Sequence, residues 1–377
     1  MVAWAAMPLV KPLRALRYDA AKAGPLDDLV APPHDVITPE KKARLLAASP
    51  YNAVRLVRPD EPDEAAGMLA DWRETGILVR DEAPAVWALE EEFAGPDGLT
   101  RTRRGLAARV RLEPYESGRI LPHERTFEKA KDTRLPLLRA TRTKLSPVLL
   151  LHEGAGPERL ARAPDLEAEL DGARSRLWRL IEPAEIEQAL ERIQGRLIIA
   201  DGHHRYETAL RFHQEEGSEE TGYVLAVLVS RDDPGLTIFP THRLVSSTPP
   251  ELDGHFRLQP LEGGAAAAVA ALDRLPRDRA AFVMLRPEGA VLALADQPGL
   301  DTVVVDRLAL EGVSFTASAA EAEAAVASGR ARAAFLVRPP ELADVEAMAL
   351  SGERMPEKST YFFPKLTSGL LFSPLDE

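Results

Sequence analysis

Leu197–Leu210 reads LIIADGHHRYETAL, and the fold follows from how this stretch is parsed. Leu197, Ile198 and Ile199 form an apolar run of strand type, Ala200-Asp201-Gly202 turns the chain, and Tyr206, Ala209, Leu210 and His213 recur at helical spacing. A helix is therefore expected to open near His203 or His204. A strand, a tight glycine turn and a helix N-terminus present unpaired backbone N–H groups to an anion. The turn also carries Asp201, His203, His204 and Arg205, four polar side chains directly after a strand of buried character. Such a concentration is costly to bury unless a ligand uses it. An Asp N-cap with two solvated histidines is the plainer reading of the same residues.

The remaining composition narrows the function. The chain has 377 residues, enough for two or three domains, with 45% hydrophobic and 28% charged residues, as in ordinary globular proteins. No apolar run approaches the ~18 residues of a membrane span. The apolar N-terminus MVAWAAMPLV precedes its basic residues, which is the wrong order for a secretory signal. Cysteine is absent, so no disulfide or thiolate metal site is possible and a cytoplasmic location is expected. A net charge of −12 argues against a general nucleic-acid partner. Of 47 basic residues only nine are lysine, and none lies between Leu145 and Glu357. In an arginine-rich chain, Lys129, Lys131, Lys144, Lys358 and Lys365 become candidates for positions where a compact charge is needed.

Read in order, strands and helices alternate, giving a mixed α/β to α+β class. Lys11–Asp19, Asn52–Val57, Ala85–Phe93, Arg101–Leu112, Leu145–Leu151 and Tyr223–Ser230 read as strands, and Asp63–Thr75 and Pro183–Gln194 as helices. Thr38-Pro39-Glu40 caps another helix. Glu153–Leu180 reads as loop with a weak helix. A break near Ser246–Gly254 divides the chain into 1–247, a nucleotide-binding or catalytic region, and 248–377, a smaller α/β region. The aromatic and basic tail is expected to fold back on the body, since a disordered tail would not carry so many aromatics.

Several segments together are similar to one family. ADGHHRYETAL, APPHDVI (Ala31–Ile37), LPHERT (Leu121–Thr126), DPGL followed by PTHR (Asp233–Leu236, Pro240–Arg243), and GERMPEKSTYFFPKLTSGL (Gly352–Leu370) closely resemble the domain-of-unknown-function 1015 family. The resemblance is collinear over nearly the whole chain; it would place tyrosine where His34 stands. More distantly, a strand followed by Asp-Gly-His-His-Arg and a helix is similar to the phosphate turn of the ParB/sulfiredoxin superfamily, which includes free-serine kinases. This resemblance implies a ParB/sulfiredoxin-like core that binds nucleotide phosphates around Gly202, His203, His204 and Arg205. Sulfinic-acid repair by sulfiredoxin's cysteine is excluded, because this chain has none.

The functional expectation is an ATP- or ADP-dependent phosphotransferase, with magnesium, acting on a small hydroxyl compound, free L-serine first. Asp201, Glu124 and Asp35 are the candidate carboxylates for base or magnesium ligand, with His123 beside them. Arg125, His242, Arg243, Lys358 and Lys365 are further cations for the phosphates. Two alternatives stand beside it. One is a metal-dependent hydrolase using His123, Glu124, Asp201, His203, His204 and His242, although no helical HExxH pair is present. The other is a non-catalytic nucleotide-sensing regulator.

Overall fold

The computed structural model describes residues 9–125, 128–252, 254 and 256–376, with the side chains of 128–133 outside the description. The chain separates into two compact units. The first comprises Met1–Pro122, Thr126–Leu236 and Pro364–Glu377; the second comprises His123–Arg125 and Thr237–Phe363. The units therefore do not divide at 247/248, and the last residues of the chain belong to the first unit rather than the second.

A nine-stranded mixed sheet forms the first unit. Its main path runs Ile120–Pro122, Leu197–Asp201, Val148–His152, Tyr223–Ser230, Thr100–Arg111, Val86–Ala94, Ala173–Leu180, Leu166–Leu170, with Val10–Lys11 paired to Thr100–Arg111. Tyr223–Ser230 is central and buried at every position, which is why its sequence YVLAVLVS is apolar without alternation. It runs parallel to Val148–His152 and antiparallel to Thr100–Arg111. The helix His203–Glu216 packs on this sheet through Tyr206 and Ala209, which share a core with Leu197, Ile199, Val148 and Leu150. Tyr206 fixes the helix further: its hydroxyl donates to the Glu113 carbonyl at 2.8 Å and accepts from the Glu113 N–H at 2.9 Å. The tail re-enters this unit by pairing Ser373 with Lys144 and Phe372 with Leu16.

Two expectations are corrected. Asn52–Val57 is not a strand; Val54–Val57 is a short helix. The Asn52 side chain causes it, accepting from the Val54 N–H at 2.9 Å while donating to the carbonyls of Asp28 and Val30 at 2.7 and 3.0 Å. That local turn outweighs the β-branched residues that follow. Glu153–Leu180 holds a hairpin, Leu166–Leu170 with Ala173–Leu180, rather than a weak helix. Asp171 and Gly172 make its two-residue turn with φ of 52° and 78°, the geometry an Asp-Gly pair favours.

The second unit is built on a six-stranded antiparallel sheet ordered Arg257–Leu261, Gly289–Leu294, Ala281–Arg286, Ala333–Val337, His242–Val245, Val313–Thr316. The alanine-rich helices Ala265–Asp273 and Ala319–Ala327 pack on one face, where small side chains let helix and sheet approach closely. Among the described residues, no helix is long and apolar enough to cross a membrane.

Candidate functional site

The central turn folds as the sequence suggests. Leu197–Asp201 is a strand, Gly202 is the N-cap with φ +95°, and the helix opens at His203. The ladder to Val148–His152 shifts register between Ile199 and Asp201, an irregularity that re-aims Asp201 at the end of the strand. Glycine is required at 202 for two reasons. The positive φ suits it, and a Cβ there would stand 3.1 Å from the Arg205 guanidinium, which folds back over the turn.

Asp201 is 9% exposed and holds two cations. Arg205 donates to Oδ2, and Lys365, from the returning tail, donates to Oδ1. Arg205 also donates to the Pro147 carbonyl. Burial alone would push the Asp201 carboxyl up; Lys365, then Arg205 and His203, outweigh it and hold it well below the usual carboxylate range. Asp201 is thus a permanently ionised clamp between helix and tail.

Arg205 borders a cavity of about 600 Å³ in the same unit. Lys42, Arg58, Arg134 and Lys144 line it too, with His34, while Asp60 is the one acidic residue of its lining among the described residues. Lys42 is bonded to Asp60 at 2.6 Å, and Arg58 donates to the His34 carbonyl at 3.3 Å. Leu137, Leu138, Leu145 and Val224 supply an apolar wall. The cations feel one another. Burial, then Arg205, lowers the pKa of Arg134, whereas Asp35, 3.9 Å away, and Asp201 raise it. Burial, then Arg134 and Arg58, pushes His34 down to about 4, so its ring is neutral at pH 7. In a chain of net charge −12, this lining gathers positive side chains around one concavity.

The sequence candidates thus fall into two groups. Asp201, Gly202, His203, His204, Arg205, Asp35 and Lys365 belong to the first unit. His123, Glu124, Arg125, His242, Arg243 and Lys358 belong to the second. There, His123 Nε2 lies 3.0 Å from the Thr360 hydroxyl, which donates to Glu124 at 3.3 Å. The Arg125 N–H donates to the Met355 carbonyl at 3.1 Å, and the Thr241 hydroxyl donates to the Lys358 carbonyl at 2.5 Å. His242 Nδ1 accepts from the Val337 N–H at 3.3 Å, and burial, then Arg243, pushes its ring down to about 4. Burial likewise lowers the Arg243 guanidinium, to about 10, against the pull of Asp306 and Glu124. The side chains of Lys129 and Lys131 lie outside the description. Among the described residues no three His, Asp or Glu side chains converge as a metal site.

Sequence reasoning missed the cavity's wall. Lys42, Arg58 and Thr208 come from three separate helical or loop segments and form no motif. The one available signal was Lys144, a retained lysine in an arginine-rich chain.

No curated protein matches the chain. Among solved structures, it is similar to a conserved hypothetical protein from Pyrococcus furiosus, with a TM-score of 0.41, 14% identity and coverage of 69% of this chain and 93% of that one. It is similar to a free serine kinase in complex with AMP, with a TM-score of 0.42, 15% identity and coverage of 69% and 88%. SbnI with C-terminal truncation from Staphylococcus aureus gives 0.39, 14%, and 70% and 87%. The family model described as "Protein of unknown function (DUF1015)" matches residues 10–313, most of the length, and the chain belongs to the DUF1015 family.

Proposed function

We propose that this chain binds a nucleotide in the cationic cavity of its first unit and transfers a phosphoryl group to a small hydroxyl compound. The observation that carries the reading is the inversion of charge: Lys42, Arg58, Arg134 and Arg205 face one cavity in an acidic protein. The volume supports it, since small-ligand sites fall in the range of roughly 300–1,000 Å³. The likeness of the Asp-Gly-His-His-Arg turn to the ParB/sulfiredoxin phosphate turn favours a phosphate over other anions.

Phosphoryl transfer asks a protein chiefly for positioning and charge stabilisation. Arg205, Arg134 and Arg58 spread the phosphate charge. The acceptor hydroxyl oxygen bonds to phosphorus as the bond to the departing nucleotide oxygen breaks, and a carboxylate takes the hydroxyl proton. Both oxygens of Asp201 are held by cations, so Asp35, beside Arg134 and partly exposed, is the better base. Asp35, beside Arg134, and Asp60, beside Lys42, are the carboxylates that would hold magnesium brought in with ATP or ADP. Free L-serine is the first acceptor to test. Phosphorus NMR of protein, ATP or ADP, magnesium and serine, followed by other hydroxy compounds, should reveal a new phosphomonoester. Nucleotide that binds without any such product would leave a sensor and refute the transferase.

A further inference from the structure

The cavity is not uniform along its length. Arg205 sits in the first turn of the helix His203–Glu216, and Thr208 and Ala209 line the cavity one turn further on. The segment 144–147 lies beside the helix. Pro147 accepts from Arg205, and Lys144, three residues earlier, reaches Phe212, with Nζ 5.7 Å from the ring centre. The cavity therefore has an arginine end and, one helical turn further on, a second end at Lys144 and Thr208.

That second end holds two polar groups with no hydrogen-bond partner among the described residues, Lys144 Nζ and Thr208 Oγ1. Both residues are more than nine-tenths buried, 5% and 4% exposed, and both line the cavity. Unsatisfied buried donors are rare and costly, so a ligand is the natural partner. The same lining has apolar members in Leu138, Leu145 and Val224 and polar ones in Thr141, Thr143 and Ser146. We propose that this end receives the nucleobase, with Lys144 and Thr208 bonding its polar edge while the phosphates lie at Arg205. The inference rests on the nucleotide reading above.

Three features favour a base over a second anion. The apolar wall suits an aromatic ring. Burial holds the Lys144 amine down to about 7, against the pull of Glu216, so at neutral pH much of it carries no charge to offer an anion. A threonine hydroxyl both donates and accepts, matching the mixed edge of a base.

Calorimetric titration of the full chain with ADP, GDP and inorganic tripolyphosphate tests this. Lys144→Met and Thr208→Val should each weaken the preferred nucleotide about tenfold or more, as expected for a lost buried hydrogen bond. Both should leave tripolyphosphate, which has no base, within about twofold, whereas Arg205→Ala weakens both ligands. Should Lys144→Met prove unable to fold, Thr208→Val carries the test alone. Nucleotide binding unchanged in the folded variants, or an equal loss for tripolyphosphate, overturns the base assignment while leaving the nucleotide reading intact. A wild-type protein that binds none of the three ligands overturns the nucleotide reading itself.

Discussion

Lys365 and Asp201 lie 164 residues apart in sequence and form an ion pair, with Arg205 on the other carboxylate oxygen. The C-terminal tail is thereby fastened to the turn that opens the helix His203–Glu216. Breaking a buried pair by removing one partner costs ~3–5 kcal/mol, because the remaining charge is stranded. Lys365→Met is expected to lower the urea midpoint accordingly, and Lys365→Arg to recover part of the loss. A midpoint unchanged in Lys365→Met would show that this ion pair does not help to hold the tail.

A second buried pair fixes the same tail from the other side. Arg103 is 1% exposed, bonds Glu91 at 2.6 and 2.8 Å, and donates to the Pro364 carbonyl at 2.9 Å, one residue before Lys365. Burial pushes the Glu91 carboxyl up, and Arg103 opposes that push. Arg103→Met should cost ~3–5 kcal/mol, and adding Glu91→Leu should recover much of it, since the stranded charge is then removed. A double-mutant cycle read by denaturation checks this; purely additive losses would mean the two side chains act independently.

Histidines partly or wholly withdrawn from solvent set the acid limit of stability. His34 and His152 are both held down to about 4 by burial, while the unfolded chain binds protons near the ordinary ~6.5. Between these values the unfolded state carries more protons, so stability falls as pH drops from ~6.5 towards ~4. Lys144 acts at the other end. Its amine is lowered to about 7, so its contribution rises with pH from ~7 to ~10.4, where the unfolded lysine also loses its proton. Melting temperatures across pH should follow both slopes, with Lys144→Met flattening the alkaline one; an alkaline slope that survives the substitution would contradict the placement of Lys144.

Much of this was legible in the sequence where the determinants are local. Leu197–Arg205 reads directly as strand, glycine turn and helix, because apolar run, positive-φ residue and helical period are all contiguous. Thr38 and Pro39 announce their helix equally well, with Thr38 accepting from the Lys41 N–H at 3.2 Å. Asn52 was misread because its effect depends on carbonyls of Asp28 and Val30, more than twenty residues away. The hairpin at Asp171-Gly172 was legible and overlooked: alternation on both sides of an Asp-Gly pair is a hairpin signal. The cavity was not legible, because Lys42, Arg58, Arg134 and Lys144 converge only through tertiary packing.

The most direct measurement is the affinity of ATP and ADP, with magnesium, for the wild type and for Arg205→Ala. Losing a charged hydrogen bond to a phosphate costs ~1.5–3 kcal/mol, a weakening of roughly 10- to 150-fold. Arg205 also braces Asp201, so circular dichroism must first show that the variant is folded. The wild type should bind nucleotide, and folded Arg205→Ala should bind it at least about tenfold more weakly. Equal affinity in the two proteins, or a wild type with no affinity for either nucleotide, would contradict nucleotide binding at this cavity.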